Sequence, residues 1–146
     1  MTSAIRRGDI WLVDLKPQTH PEEPSKLRPC LVMQEDSVNA VHGTVIIVPV
    51  SSSSERSYPS DDPVRVHVGA FAKAPGGMPE HSWALTDCVR AVAKRRFTGD
   101  GAVYVCPPAA MKRVEVARQV SSNGRPDKRP AYCGLFVLLA GDMRQH

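Results

Sequence analysis

No stretch of this 146-residue chain approaches the ~20 consecutive apolar residues that a membrane-spanning helix needs. The longest candidate runs only from Gly134 to Gly141. The segment MTSAIRRGDIWLVDL also lacks the extended apolar core and small-residue cleavage site of a secretory signal, so a cytoplasmic location is expected. Cysteine is sparse and scattered: Cys30, Cys88, Cys106 and Cys133 form no CxxC, and buried thiols are expected ahead of disulfides or zinc. The five histidines (His20, His42, His67, His81, His146) are equally dispersed and make no metal-ligand spacing with a cysteine. Neither a metal nor another cofactor is therefore expected. No internal repeat is visible.

What is present suits one soluble domain. A hydrophobic share of 42% and a charged share of 23% are ordinary for a globular chain, and the length leaves little room for two independent cores. The net charge of +4 is mild but uneven, with basic clusters at Arg6-Arg7, Lys26 to Arg28, Lys94 to Arg96 and Arg125 to Arg129. Such clusters suit a polyanion or an acidic protein partner.

The first half of the chain reads as β-structure. Ile10 to Leu15 is a strand stopped by Pro17, and residues 16–27 carry three prolines without a hydrophobic period, which predicts a loop. Pro29 to Gln34 and Thr44 to Val50 are two further buried strands, joined by a turn-rich segment, residues 35–43. Ser51 to Pro63 is polar. Val64 to Val68 alternates apolar and polar residues as a half-exposed strand does. Residues 69–82 read as a glycine- and proline-rich connection, and Trp83 to Val92 as a strand whose imperfect period also admits a helix. Pro107-Pro108 opens a helix that ends near Asn123-Gly124. Beyond it, a basic, proline-rich stretch precedes the apolar run Tyr132 to Ala140, which suits an extra strand, a short helix or a partner interface. The pattern predicts a mainly β fold, a small bent antiparallel sheet or partly closed barrel with a C-terminal helix.

Several segments carry a family resemblance in their order. Arg7-Gly8-Asp9-Ile10-Trp11-Leu12-Val13-Asp14-Leu15 resembles the opening strand of MazF/PemK toxins. Glu23, then Arg28-Pro29 and Cys30-Leu31-Val32, resembles their loop glutamate and following strand. Val48-Pro49-Val50-Ser51-Ser52, with Tyr58-Pro59 beyond it, is similar to their strand that ends in hydroxyl residues. Trp83 to Arg90 resembles their segment around a central aspartate, here Asp87. The helix after Pro108 sits where theirs closes the domain. The chain departs from the pattern at residues 20–24, His-Pro-Glu-Glu-Pro, where a glycine usually precedes the glutamate. It also has Leu85 where PemK-type members place an arginine two residues before the aspartate.

The resemblance implies a toxin domain over residues 5–123 with a CcdB/MazF-like, SH3-type barrel, and leaves residues 124–146 as an extension of unknown role. It implies a homodimer that binds single-stranded RNA in the groove between subunits, cleaves it without metal to leave a 2′,3′-cyclic phosphate, and is silenced by an acidic antitoxin. For that chemistry the candidate catalytic residues are Arg28, Ser51 and Glu23. A planar guanidinium holds two phosphate oxygens, a hydroxyl donates to a phosphate oxygen or orients the 2′-OH, and a carboxylate accepts a proton or positions the arginine. Lys16, His20, Lys26, Ser52 and Asp87 are the candidate RNA-binding residues. Trp11 and Trp83 read as core or dimer-interface residues rather than base-stacking platforms. Asp87 suits either catalysis or structure, as an orienting partner of Arg28 or Arg90 or a bond acceptor at a bend. Two other classes share the scaffold: a CcdB-like poison that binds gyrase, and a non-catalytic SH3-like nucleic-acid or peptide adaptor. The gyrase binder has no need of the Arg28, Ser51 and Glu23 set.

Overall fold

The computed structural model describes residues 3–16, 27–52, 62–73 and 76–123. Its strands are β1 (Asp9–Asp14), β2 (Leu27–Val32), β3 (Thr44–Ser52), β4 (Arg65–Phe71), β5 (Glu80–Leu85), β6 (Arg90–Ala93) and β7 (Tyr104–Val105). A short helix α1 (Asp36–Asn39) lies between β2 and β3, and α2 (Pro108–Asn123) follows β7. Two 3₁₀ turns, Thr86–Cys88 and Lys94–Arg96, follow β5 and β6.

The strands form one antiparallel sheet in the order β4-β5-β3-β2-β1-β7, with β6 also paired to β3. β3 is the organising strand. Ile47 pairs with Val32 of β2 on one side and with Arg90 of β6 on the other, while Val50 to Ser52 pair with β5. The ends of the sheet curl toward each other, because Phe71 of β4 stacks on Tyr104 of β7 with ring centroids 4.7 Å apart. Gly69 makes that closure possible: at φ +122°, a Cβ there would lie 2.5 Å from the Tyr104 hydroxyl oxygen. The result is a nearly closed barrel-like sheet.

Strand alternation divides the apolar side chains between two cores. Ile10, Leu31, Val48, Val50, Val66 and Val68 point to one face, where Ala110, Met111, Val114 and Ala117 of α2 cover them. Trp11, Val13, Cys30, Val32, Val45 and Ile47 point to the other, closed by Ile5 and by Phe97, whose ring meets Trp11 edge-on at 5.7 Å. Each fully buried Val, Leu or Ile contributes about 1.5–3 kcal/mol by leaving water.

The Arg7-Gly8-Asp9 turn locks these layers together. Gly8 takes φ +92°, its amide donates to the Val32 carbonyl and its carbonyl accepts from Cys106. The Arg7 guanidinium donates to the Met33 carbonyl and to Glu115 of α2, so one cation ties the turn to β2 and the helix. Asp9 accepts from the Arg6 amide and from the Trp11 indole.

Most expected elements stand where the pattern placed them, with instructive differences. The turn-rich segment 35–43 contains α1, held by the buried Asn39, whose amide exchanges hydrogen bonds with Gln34. Residues 69–82 are connection only between their ends, since Gly69 to Phe71 and Glu80 to Ser82 extend β4 and β5. The segment from Trp83 to Val92 is strand, broken by the 3₁₀ turn rather than replaced by a helix. Trp11 is wholly buried, as a core residue. Cys30 and Cys106 are buried free thiols, while Cys88 departs from expectation and is disulfide-bonded. The run from Tyr132 to Ala140 lies outside the described residues. Among those that are described, no helix is long and apolar enough to cross a membrane.

Leu31 is fully buried beneath α2, and Leu31→Ala is expected to cost about 2–5 kcal/mol of stability through lost transfer energy and an unfilled cavity. Urea unfolding checks it: a midpoint equal to that of the parent chain contradicts the assigned core.

Candidate active site

The register of the sheet aligns a set of polar side chains on the face opposite α2. β2 and β3 pair at Cys30–Pro49, Leu31–Val48 and Val32–Ile47. Carried two residues further along the same strands, that register sets Arg28 opposite Ser51. On either side the row continues, through Val13 of β1 beyond Arg28 and through Trp83 of β5 and His67 of β4 beyond Ser51. Side chains directly opposite in antiparallel strands share a face, about 5 Å apart. Arg28, Ser51, Trp83 and His67 therefore belong to one row, and His81, two residues before Trp83, joins it.

Arg28 and Ser51 are half-buried. Arg28 and Arg90 both act electrostatically on the thiol of Cys30, which places two guanidinium groups around this part of the face. Burial dominates over them and pushes the Cys30 thiol up to about 12, so it stays protonated and unreactive at neutral pH.

The other expected residues are distributed differently. Lys16 is exposed at the end of β1, where its carbonyl accepts from Arg96. Ser52 lies beside Ser51 in sequence, yet alternation turns it to the α2 side, opposite Ser82. Its hydroxyl oxygen is buried and has no hydrogen-bond partner among the described residues. Asp87 is buried, 2% exposed. Glu23, His20 and Lys26 lie outside the described residues.

Asp87 is held by Arg65, whose guanidinium donates to Oδ1 in an almost wholly buried ion pair. Alternation in the segment from Val64 to Val68 suggested an exposed arginine; instead Arg65 faces inward because a carboxylate waits there. Burial holds the Asp87 carboxyl above the ordinary carboxylate range, although the adjacent Arg65 charge and hydrogen bond oppose it. Arg65 stands directly across from Leu85. The guanidinium missing from position 85 thus reaches Asp87 from the neighbouring strand.

A model of PemK-like, MazF-like toxins of type II toxin–antitoxin systems matches residues 6–121. The chain belongs to this toxin family. It is 38% identical to endoribonuclease MazF9 of Mycobacterium tuberculosis over 60 residues, 38% of this chain and 50% of that protein. Here the chain spans about half the length of the relative it matches. It is 28% identical to endoribonuclease EndoA of Bacillus subtilis over 117 residues, 80% of this chain and 93% of EndoA. A mycobacterial endoribonuclease solved in complex with its cognate antitoxin shares the fold, with a TM-score of 0.58 at 17% identity, over 84% of this chain and 98% of that one.

Within this toxin fold the structure adds residues that motif reading passed over. Arg65 was hidden by its alternating neighbours. His67 and His81 are far apart in sequence and meet only because β4 and β5 pair, with His67 Nε2 and His81 Nδ1 3.0 Å apart. Two basic residues of the Lys94 to Arg96 cluster are engaged structurally, Lys94 on the Asn39 carbonyl and Arg96 on those of Asp14 and Lys16. Among the described residues no group of three or more His, Cys, Asp or Glu side chains is placed to hold a metal ion.

Replacing Arg65 with methionine keeps volume but strands a buried carboxylate, with an expected loss of about 3–5 kcal/mol at neutral pH. Burial, with the Asp62 charge, then holds the folded-state pKa of Asp87 still further above its unfolded value. The variant is therefore least impaired below the unfolded carboxylate range and loses stability as pH rises through the raised folded value. Denaturation of parent and variant at acid and mildly alkaline pH tests this; a deficit independent of pH contradicts it.

Proposed function

We propose that this chain is the toxin of a type II toxin–antitoxin pair and acts as a metal-independent, sequence-specific endoribonuclease on single-stranded RNA. What supports the reading is the β2–β3 pairing from Cys30–Pro49 to Val32–Ile47, whose continuation brings Arg28 toward Ser51, on a face where Arg90 also acts on Cys30. Family membership and two relatives named as endoribonucleases support it.

The chemistry requires no group beyond RNA and protein side chains. The ribose 2′-oxygen attacks the adjacent phosphorus and the bond to the 5′-oxygen breaks, giving a 2′,3′-cyclic phosphate and a 5′-hydroxyl. Arg28 holds two non-bridging oxygens of the phosphate as negative charge builds on them. Ser51 donates a hydrogen bond to the same phosphate or orients the 2′-OH. Glu23 accepts the 2′-OH proton or positions Arg28, and the departing 5′-oxygen takes up a proton, for which Arg28 is the candidate donor. Lys16 and Lys26 attract the backbone, which makes binding salt-sensitive, and His20 contacts a base. Asp87 acts from behind this surface, through Arg65 and the turn it belongs to. The site is completed in a homodimer whose groove receives the RNA, in the cytoplasm. An acidic antitoxin segment blocks that groove, a reading supported by the antitoxin-bound mycobacterial structure of the same fold.

Incubation with a long single-stranded RNA in excess chelator is expected to give discrete fragments bearing 5′-hydroxyl and cyclic phosphate ends. Arg28→Ala is expected to slow cleavage by about 10²–10³, the usual effect of removing one transition-state donor. Intact RNA, or equal cleavage by the folded variant, overturns the assignment; intact RNA with arrested gyrase favours a protein-directed poison instead.

A further inference from the structure

We propose that the His67–His81 pair is a nucleobase-recognition subsite, reading one unpaired base next to the phosphate held by Arg28 and Ser51. The proposal rests on the nuclease reading above and adds a specificity-determining site to it.

The placement comes from the sheet. His67 sits in the same cross-strand row as Ser51, two strands away across Trp83. At the usual spacing of about 5 Å per strand, the two positions lie about 10 Å apart on one face. Both imidazoles are exposed, their ring centroids are 5.1 Å apart, and the Trp83 ring backs His67 edge-on at 5.4 Å. A register shift between His67 and Gly69 disrupts the ladder at this point, and such bulges re-aim side chains. Gly69, at the bulge, takes φ +122°, and a Cβ there would strike Tyr104.

The hydrogen-bond arithmetic indicates what the pair would bind. His67 Nε2 faces His81 Nδ1 at 3.0 Å, leaving His67 Nδ1 and His81 Nε2 for a ligand. When two neutral imidazoles share one hydrogen bond, the donating ring is left with an acceptor nitrogen and the accepting ring with an N–H. The pair therefore offers one donor and one acceptor together, the complement of a base edge, and exchanging tautomers swaps them. A phosphate has no use for the acceptor. Partial burial, His81 and Arg113 together push the His67 pKa down, which favours the neutral pair. Arg113 reaches from α2, with its Nη2 on the His67 carbonyl, and the Lys73–Glu80 ion pair stands at the far end of the same two strands. Protonation converts the pair into two outward donors and removes the acceptor.

The test is cleavage of a randomised single-stranded RNA pool by the full-length protein, with the fragment ends sequenced. His67→Phe and His81→Phe keep an aromatic ring but remove the nitrogens. Each is expected to flatten the preference at a single position beside the cut by about tenfold, the scale of one lost base contact. Preferences elsewhere and the unfolding midpoint stay unchanged. Acidification of the parent protein flattens that same position. An unchanged preference profile in folded His67→Phe/His81→Phe protein overturns the proposal while leaving the nuclease reading intact. Should the parent protein leave the whole pool uncut, the nuclease reading fails, and NMR of the two imidazoles decides the subsite alone. Shifts with a mixed-sequence oligonucleotide but not with its abasic counterpart uphold it; equal or absent shifts overturn it.

Discussion

The alternation of side chains along β3 is the constraint on which the rest of the molecule depends. This strand pairs along both edges, so its register is fixed from β2 on one side and from β5 and β6 on the other. Val48 and Val50 go beneath α2; Pro49 and Ser51 go to the opposite face. A slip by one residue would send Ser51 into the helix-side core, bring Ser52 opposite Arg28 and turn the buried valines outward. Stability and the candidate site are thus consequences of one register. A buried core and a correctly aimed hydroxyl cannot be altered independently there.

The charged residues follow a related division. A chain with basic clusters invites the view that its cations form one polyanion-binding surface. In the fold, Arg7, Lys94 and Arg96 direct their charged groups to backbone carbonyls where chain segments meet. Charge-assisted bonds of this kind are stronger than neutral ones and close the ends of strands and helices that have no ladder partner. Position in the cross-strand row, rather than local density of Lys and Arg, separates Arg28 from these structural cations.

Much of the architecture was legible in the chain itself, for a reason specific to each element. β1, β2 and β3 were readable because buried strands are written as continuous apolar runs, and α2 because Pro107-Pro108 opens it and Asn123-Gly124 closes it. The Arg28 and Ser51 candidates came from short segments whose order resembles a family. What stayed hidden depends on contacts between distant positions. Nothing local marks His67 and His81 as neighbours, and nothing in Val64 to Val68 shows that its arginine turns inward. Ser52 shows the converse, since adjacency along the chain does not give it the face of Ser51: alternation directs the two side chains to opposite sides of β3.

The pair formed by Arg65 and Asp87 shows how far motif and geometry can diverge. Measured along β5, the arginine that the family resemblance leads one to expect before the aspartate is missing, and Leu85 stands there. Across the sheet it is present, because Arg65 is the direct partner of Leu85 and its guanidinium reaches the same carboxylate. A buried carboxylate needs a cation, but physical chemistry is indifferent to which strand supplies it. Moving the arginine to β4 leaves position 85 free to be apolar and secures the 3₁₀ turn at Thr86–Cys88, which Thr86 also ties to β4 through the Val64 carbonyl. That turn leads directly into Arg90, one of the two guanidinium groups around Cys30. The ion pair therefore anchors the turn that leads into this face, with both charged groups buried.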